Sequence, residues 1–173
     1  ILVTGANGFV AKNLIMRLAE QGYTDILRFD RSCTTDDLTA MAAKADFVFH
    51  LAGVNRPKHE AEFAEGNADL TASLLSALAA AGNKAPVVLS SSIQAALDNP
   101  YGKSKAAAEQ VALQYHADNG AAVYIFRLPN VFGKWCKPNY NSAVATFCYN
   151  TVHDLPITIN DANAALKLVY IDD

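Results

Sequence analysis

The chain has 173 residues, 51% hydrophobic and 18% charged, with a net charge of −3, a composition that supports a folded core without disulfides or metal. Its mild acidity gives no ground to expect nucleic acid or an anionic membrane as partner, and the sequence has neither an apolar run of membrane-spanning length nor a signal-peptide pattern. Cys33, Cys136 and Cys148 are far apart and form no C-x-x-C pair, which points to a reducing, cytoplasmic compartment and away from structural zinc.

Short β-branched or aromatic runs recur along the chain: ILV at 1–3, ILRFD at 26–30, DFVFHLA at 46–52, PVVLSSS at 86–92 and VYIFRL at 123–128. Helical patterns lie between them, carried by Val10, Leu14, Arg17 and Leu18, then Leu70, Leu74, Leu75 and Leu78, then Ala108, Val111, Ala112 and Tyr115. Strands alternating with helices predict an α/β fold, a Rossmann-like doubly wound parallel sheet. The expected division is a dinucleotide-binding domain over 1–133 and the start of a substrate-binding region over 134–173, with AVATFCYNTV as a helix and PITI and LKLVYI as short strands. Ile1 already lies inside an apolar run and LVYIDD ends where another element is expected. The chain therefore reads as the front part of a longer polypeptide, truncated before a full substrate domain.

Gly5 and Gly8 fall between the first strand and the first helix. One glycine allows a tight turn, and the second lets backbone N–H groups approach a pyrophosphate at the positive end of the helix. The alternative is a turn needed only for chain reversal. Ala11 stands where a third glycine would complete G-x-x-G-x-x-G. The second strand ends in Asp30 and Arg31; an acid there suits ribose hydroxyls and NAD, and an arginine suits a ribose phosphate and NADP.

Tyr101 and Lys105 lie four residues apart at the start of an alanine-rich helix, with Pro100 before them, so both project from one face. A free phenol has a pKa of about 10. An ammonium one turn away is expected to favour the phenolate and bring the phenol into a useful acid–base range.

Together, TGANGFVA, HLAG at 50–53, Asn67 before ADLTASLL, the serine run at 90–92, Y-x-x-x-K at 101–105 and RLPNVFG at 127–133 resemble the extended short-chain dehydrogenase/reductase family of nucleotide-sugar epimerases, dehydratases and reductases. The resemblance implies Tyr101 as proton donor, Lys105 as holder of the nicotinamide ribose as well, and Ser92 (Ser91 as runner-up) as the hydroxyl that orients a carbonyl oxygen. It implies a cofactor site of Gly5, Asn7, Gly8, Phe9, Val10, Asp30, Arg31, Leu51, Ala52, Gly53, Tyr101, Lys105, Pro129, Asn130 and Val131. Asn67 opens the following helix, where a helix cap is the plain alternative.

Only eight residues separate Ser92 from Tyr101, and the stretch before DFVFHLAG leaves little room for the family's usual third strand. Ser92, Ile93 and Gln94 replace the Thr-Asp-Glu series of the dehydratases, which argues against dehydration. HLAGVNRPKHEAEFAEGN, LSSSIQAALDNPYGKSK and PNVFGKWCKPNYNSAVATFCYN are similar to the branch of capsule and O-antigen reductases that make the precursor of UDP-N-acetyl-L-fucosamine. That likeness implies NADPH as cofactor, with NAD the alternative. The implied reaction is reduction of the carbon-4 ketone of a UDP-linked 2-acetamido-2,6-dideoxy-hexulose; the alternative is an NAD-dependent UDP-sugar 4-epimerase.

Arg56, Ser92, Asn130, Lys137 and Asn141 are the expected contacts to the UDP-sugar, with Lys134 near them and Leu166 standing close to where epimerases often carry an arginine. The branch's zinc-bearing cupin has no counterpart here, and His50, His59, His116 and His153 are too scattered to make a metal site. The family also implies a homodimer, with the Tyr–Lys helix as a candidate surface.

Overall fold

The computed structural model describes residues 1–159, 161 and 163–173, which fall into two compact units, Ile1–Arg127 and Leu128–Asp173. The first unit is built on five strands: β1 (Leu2–Thr4), β2 (Leu27–Phe29), β3 (Val48–His50), β4 (Val87–Ser92) and β5 (Val123–Leu128), in sheet order β2-β1-β3-β4-β5. β1 pairs in parallel with β2 and β3, and β3 with β4. All five runs read from the sequence are strands. The helices are α1 (Phe9–Glu20), α2 (Thr35–Lys44), a short α3 (Ala61–Phe63) that passes through a π-helical segment (Ala64–Asp69) into α4 (Leu70–Ala80), and α5 (Pro100–Asn119).

The alternation of β1 divides the core. Leu2 belongs to a cluster with Leu38, Ala42, Leu74, Leu75, Leu78, Ala112 and Tyr115, so α2, α4 and α5 cover that face. Val3 belongs to a second cluster with Ala6, Ala11 and Ile15 of α1. Complete burial of Leu74 and Leu78 contributes about 1.5–3 kcal/mol each. The face that α1 turns to the sheet is Ala11, Ile15 and Leu18 rather than the expected Val10, Leu14, Arg17 and Leu18; Ala11 is 1% exposed and Arg17 lies outside. A small residue at 11 lets the helix approach β1 closely, and this fixes the rotation of the helix.

α2 fills the space between β2 and β3, so no further strand intervenes there. Its start is a reciprocal capping box: Thr34 Oγ1 accepts from Asp37 N–H and the Asp37 carboxylate accepts from Thr34 N–H. On β5, Val123 and Ile125 pack on the larger cluster, whereas Tyr124 and Phe126 project from the other side and are exposed.

The second unit contains β6 (Asn130–Phe132), paired in parallel with β7 (Leu168–Tyr170), and α6 (Ala143–Val152). Gly133 follows β6 at φ +137°, where a Cβ would lie 2.4 Å from Ile171 Cγ2. AVATFCYNTV is the expected helix, and β7 falls within LKLVYI. PITI is irregular over its four residues and pairs with nothing as a strand.

Candidate functional site

After β1 the chain turns to one face of the sheet, and after the neighbouring β3 to the other. Such a reversal opens a crevice beyond the carboxyl ends of the two strands. Gly5 enters it with φ +66°, and a Cβ there would sit 2.8 Å from Ala52 Cα and Ala52 N, so backbone meets backbone across the crevice. Gly8 N–H donates to Gly5 O at 2.7 Å, and Gly8 then caps α1 with no side chain on its first-turn N–H groups. Phe9 and Val10 form that first turn. First-turn N–H groups have no acceptor within their own helix. Leu51, Ala52 and Gly53 form the opposite wall; a Cβ on Gly53 would lie 2.9 Å from Asn67 Oδ1 and 3.6 Å from Lys105 Nζ.

Asp30 sits at the end of β2 and is tied into the same turn. Its Oδ1 accepts from Ser32 N–H at 2.8 Å and Ser32 Oγ at 2.6 Å, and its Oδ2 accepts from Asn7 Nδ2. The bonds from Ser32 hold the carboxyl below the usual carboxylate range. Arg31 beside it is exposed.

A buried polar chain links this turn to α5. Ala52 N–H donates to Thr4 Oγ1 at 3.2 Å, and Thr4 Oγ1 lies 2.7 Å from His50 Nδ1. On the other side of the ring, Nε2 lies 2.9 Å from Thr71 Oγ1, which donates its own hydrogen to Asn67 O at 2.7 Å. Thr71 therefore accepts from Nε2–H and Thr4 donates to Nδ1, which assigns the tautomer. His50 is 1% exposed; burial, and secondarily the charge of Lys105, push its pKa down to about 3, so it stays neutral.

Asn67 is not a helix cap. It lies within the π-helical segment, 2% exposed, where its Oδ1 accepts from Val54 N–H at 3.2 Å and its Nδ2 donates to Val54 O at 2.9 Å and Ser104 Oγ at 3.0 Å. Ser104 in turn donates to Tyr101 O at 2.8 Å. Gly66 makes room for this, since a Cβ there would lie 2.2 Å from Val54 Cγ2.

Ser92 ends β4, and its hydroxyl caps the following 3-10 turn (Ile93–Ala96) by accepting from Gln94 N–H at 3.2 Å. Asn99 Oδ1 caps α5 through Gly102 N–H at 2.8 Å, with Pro100 at the first helical position. The Tyr101 hydroxyl lies close enough to Ser92 for Ser92 to favour its ionised form, and its ring packs on Phe63 at 5.8 Å. Ser91 instead points at Glu109 and donates to its carboxylate.

Lys105, 5% exposed, donates from Nζ to Ser90 O at 2.7 Å. Its pKa is pushed down to about 8, chiefly by burial, with Glu109 opposing the shift. The expected lowering of the phenol by Lys105 does not appear: burial pushes Tyr101 up, Ser92 only partly offsets this, and the ammonium is directed to the β4 backbone. Glu109 is a residue the sequence reading missed, although its position one turn beyond Lys105 on the same helical face was a usable signal.

The other expected site residues divide between the units. Arg56 is exposed in the loop after β3. Pro129, Asn130, Val131, Lys137 and Asn141 belong to the second unit, where Asn130 and Val131 lie in β6 and Lys137 Nζ stands 5.8 Å from the Tyr140 ring centroid. Lys134 ion-pairs with Asp172 at 3.1 Å.

A sequence profile of the NAD dependent epimerase/dehydratase family matches residues 1–173. The chain belongs to this family. A curated relative, the UDP-2-acetamido-2,6-beta-L-arabino-hexul-4-ose reductase of Pseudomonas aeruginosa, is 53% identical over the whole chain, which spans 46% of that protein's length. The crystal structure of capsular polysaccharide assembling protein CapF from Staphylococcus aureus is similar with a TM-score of 0.86 at 48% identity, over 99% of this chain and 46% of that one. The UDP-glucuronic acid 4-epimerase of Bacillus cereus, in complex with UDP-glucuronic acid and NAD, gives a TM-score of 0.85 at 20% identity, over 99% and 69% of the two chains; that likeness is one of fold. The family's parallel sheet with flanking helices is the architecture found here. Among the described residues no helix is long and apolar enough to cross a membrane.

Proposed function

We propose that the chain is the reductase portion of an enzyme that uses NADPH to reduce the carbon-4 ketone of a UDP-linked 2-acetamido-2,6-dideoxy-hexulose. The observation that carries this reading is the closeness of Ser92 to the Tyr101 hydroxyl beside a crevice whose walls, Gly5, Ala52 and Gly53, have no room for larger side chains. The identity to the Pseudomonas aeruginosa reductase supports the substrate class.

The residues present fit a dinucleotide. Gly5, Asn7, Gly8, Phe9 and Val10 would hold the pyrophosphate at the uncapped start of α1. Asp30 already accepts three hydrogen bonds, which leaves it little capacity for a ribose diol, whereas exposed Arg31 carries the charge that a ribose phosphate pairs with. Both features favour NADPH over NAD. Lys105 would hold the nicotinamide ribose, with Leu51, Ala52 and Gly53 on one wall of the crevice, and Pro129, Asn130 and Val131 are proposed as further cofactor contacts. A nicotinamide bound there supplies a hydride.

Ser92 then donates a hydrogen bond to the ketone oxygen and fixes its position. Negative charge gathers on that oxygen as its carbon takes up hydride, and Tyr101 gives it the phenolic proton, so that ketone, hydride and proton become an alcohol. A phenol pushed upward by burial is held in the protonated form that reduction needs. The Lys105 ammonium, held on Ser90 O in the protein without cofactor, would stabilise the phenolate left behind once it turns to the nicotinamide ribose. Arg56, Lys137 and Asn141, with Ser92 and Asn130, are proposed to hold the UDP-sugar, and the enzyme is proposed to be a homodimer that works in the cytoplasm.

The test is to add NADPH and the UDP-linked 4-keto sugar and follow cofactor absorbance beside product. One NADPH oxidised per ketone reduced supports the reading. Interconversion of two UDP-sugars with no net oxidation replaces it with the 4-epimerase.

A further inference from the structure

Tyr101, Lys105 and Glu109 occupy successive turns of α5 along one line, with Tyr101 partly buried and Lys105 and Glu109 each 5% exposed. The Glu109 carboxylate is held from two neighbouring strands. From β5, Arg127 donates Nε to Oε1 at 2.9 Å and to Oε2 at 3.2 Å, and a terminal nitrogen to Oε2 at 2.6 Å. From β4, Ser91 donates to Oε1. These bonds hold the Glu109 carboxyl below its ordinary range. A buried ion pair is weak evidence of stabilisation, because desolvation offsets most of the attraction. Its placement one turn below a buried lysine calls for another explanation.

We propose that Glu109, clamped by Arg127 and Ser91, is a positioning residue that keeps the Lys105 ammonium charged beside the crevice wall at Gly53. The proposal rests on the reading of Lys105 as the partner of Tyr101. Burial disfavours the charge on Lys105, and Glu109 is the group that opposes this. The groups around Lys105 are Tyr101 and Glu109 on α5, neutral His50 on β3, the Ser90 carbonyl and Ser91 on β4, Asn67 in the π-helical segment, and Arg127 on β5 behind the carboxylate. Of these, Glu109 supplies the negative charge. Arg127 is half-exposed and spends its charge on the carboxylate, fixing it without neutralising its effect on Lys105.

The direct test is an NMR titration of Lys105 in the protein without cofactor, using lysine labelled at Cε and the Lys105→Arg variant to assign the signal. The midpoint is expected near the value of about 8 in the parent. Glu109→Gln keeps the shape and the bond to Ser91, and should lower the midpoint by about one unit or more. Arg127→Met keeps the carboxylate and should leave the midpoint unchanged or higher. A merely structural pair would lower stability in both variants and leave both midpoints alone. If Glu109→Gln cannot fold with Arg127 stranded, the double variant Glu109→Gln/Arg127→Met removes both charges and should show the same fall. An unmoved midpoint in Glu109→Gln, or in the double variant where only that one folds, overturns the proposal, as does equal movement in Glu109→Gln and Arg127→Met. The alkaline limb of NADPH oxidation should move with the midpoint. Because the titration needs no turnover, it is decided even if the reductase reading fails.

Discussion

Gly102 on α5 packs so tightly on the turn after β4 that a Cβ would lie 2.2 Å from the Gln94 carbonyl oxygen and 2.6 Å from that of Leu97. This contact sets how near the first turn of α5 comes to Ser92, and it explains how only eight residues bridge Ser92 and Tyr101. The short 3-10 turn and the glycine together bring β4 and α5 into direct contact.

Gly102→Ala should therefore push the start of α5 off the turn. Overpacking of this kind costs about 1–3 kcal/mol, and a displacement of about 1 Å at Tyr101 should lower kcat by roughly 10²-fold. Urea unfolding and NADPH oxidation check the two effects separately. Parent-like kcat in the variant would contradict the stated role of this contact.

Gly5→Ala should weaken NADPH binding with little change elsewhere in the chain. The substitution meets both a positive φ of +66° and the Ala52 backbone at 2.8 Å, so the crevice must widen or its wall must move. Isothermal titration with NADPH should show at least a tenfold loss of affinity, about 1.4 kcal/mol.

The strands and the start of the Tyr101 helix were legible because their signals are local: apolar runs, a glycine turn, and a proline before α5. α2 was missed because its buried face is only Leu38 and Ala42, too thin a stripe for periodicity, although T-x-x-D at 34–37 marks its start. PITI looked like a strand by composition but pairs with no strand among the described residues. The role of Asn67 depends on a π-helical segment, which has no simple residue pattern, and on Val54 and Ser104, which lie far from it in sequence. Glu109 and Arg127 are 18 residues apart; only the pairing of α5 with the sheet edge brings them together.

His50 should make stability fall as the solution is acidified. Its ordinary value is 6.5 and its folded value about 3; between these the unfolded chain binds a proton that the folded chain refuses. This contribution is intact above about 6.5 and is lost progressively as pH falls towards 3, at about 1.4 kcal/mol per pH unit. Urea unfolding of parent and His50→Gln across this range should show the parent losing one proton's worth of slope more than the variant. Parallel curves would contradict a neutral buried His50.

Lys105→Met should trade activity for stability. The folded value of about 8 lies below the ordinary 10.5, so the cost of burying the charge is fully present below about pH 8 and disappears as pH rises through the interval to 10.5. After loss of the bond to Ser90 O, the net gain for the variant at neutral pH should be about 1–3 kcal/mol, with the advantage shrinking in alkaline solution. Chemical denaturation at neutral and alkaline pH checks both the size and the sign.

The proton donor is the centre of the account, and Tyr101→Phe tests it most directly when kcat for reduction of the UDP-linked 4-keto sugar is measured beside NADPH affinity. The predicted result is a ~10²–10⁴-fold fall in kcat with cofactor affinity unchanged. Turnover at the parent rate in the phenylalanine variant would contradict it.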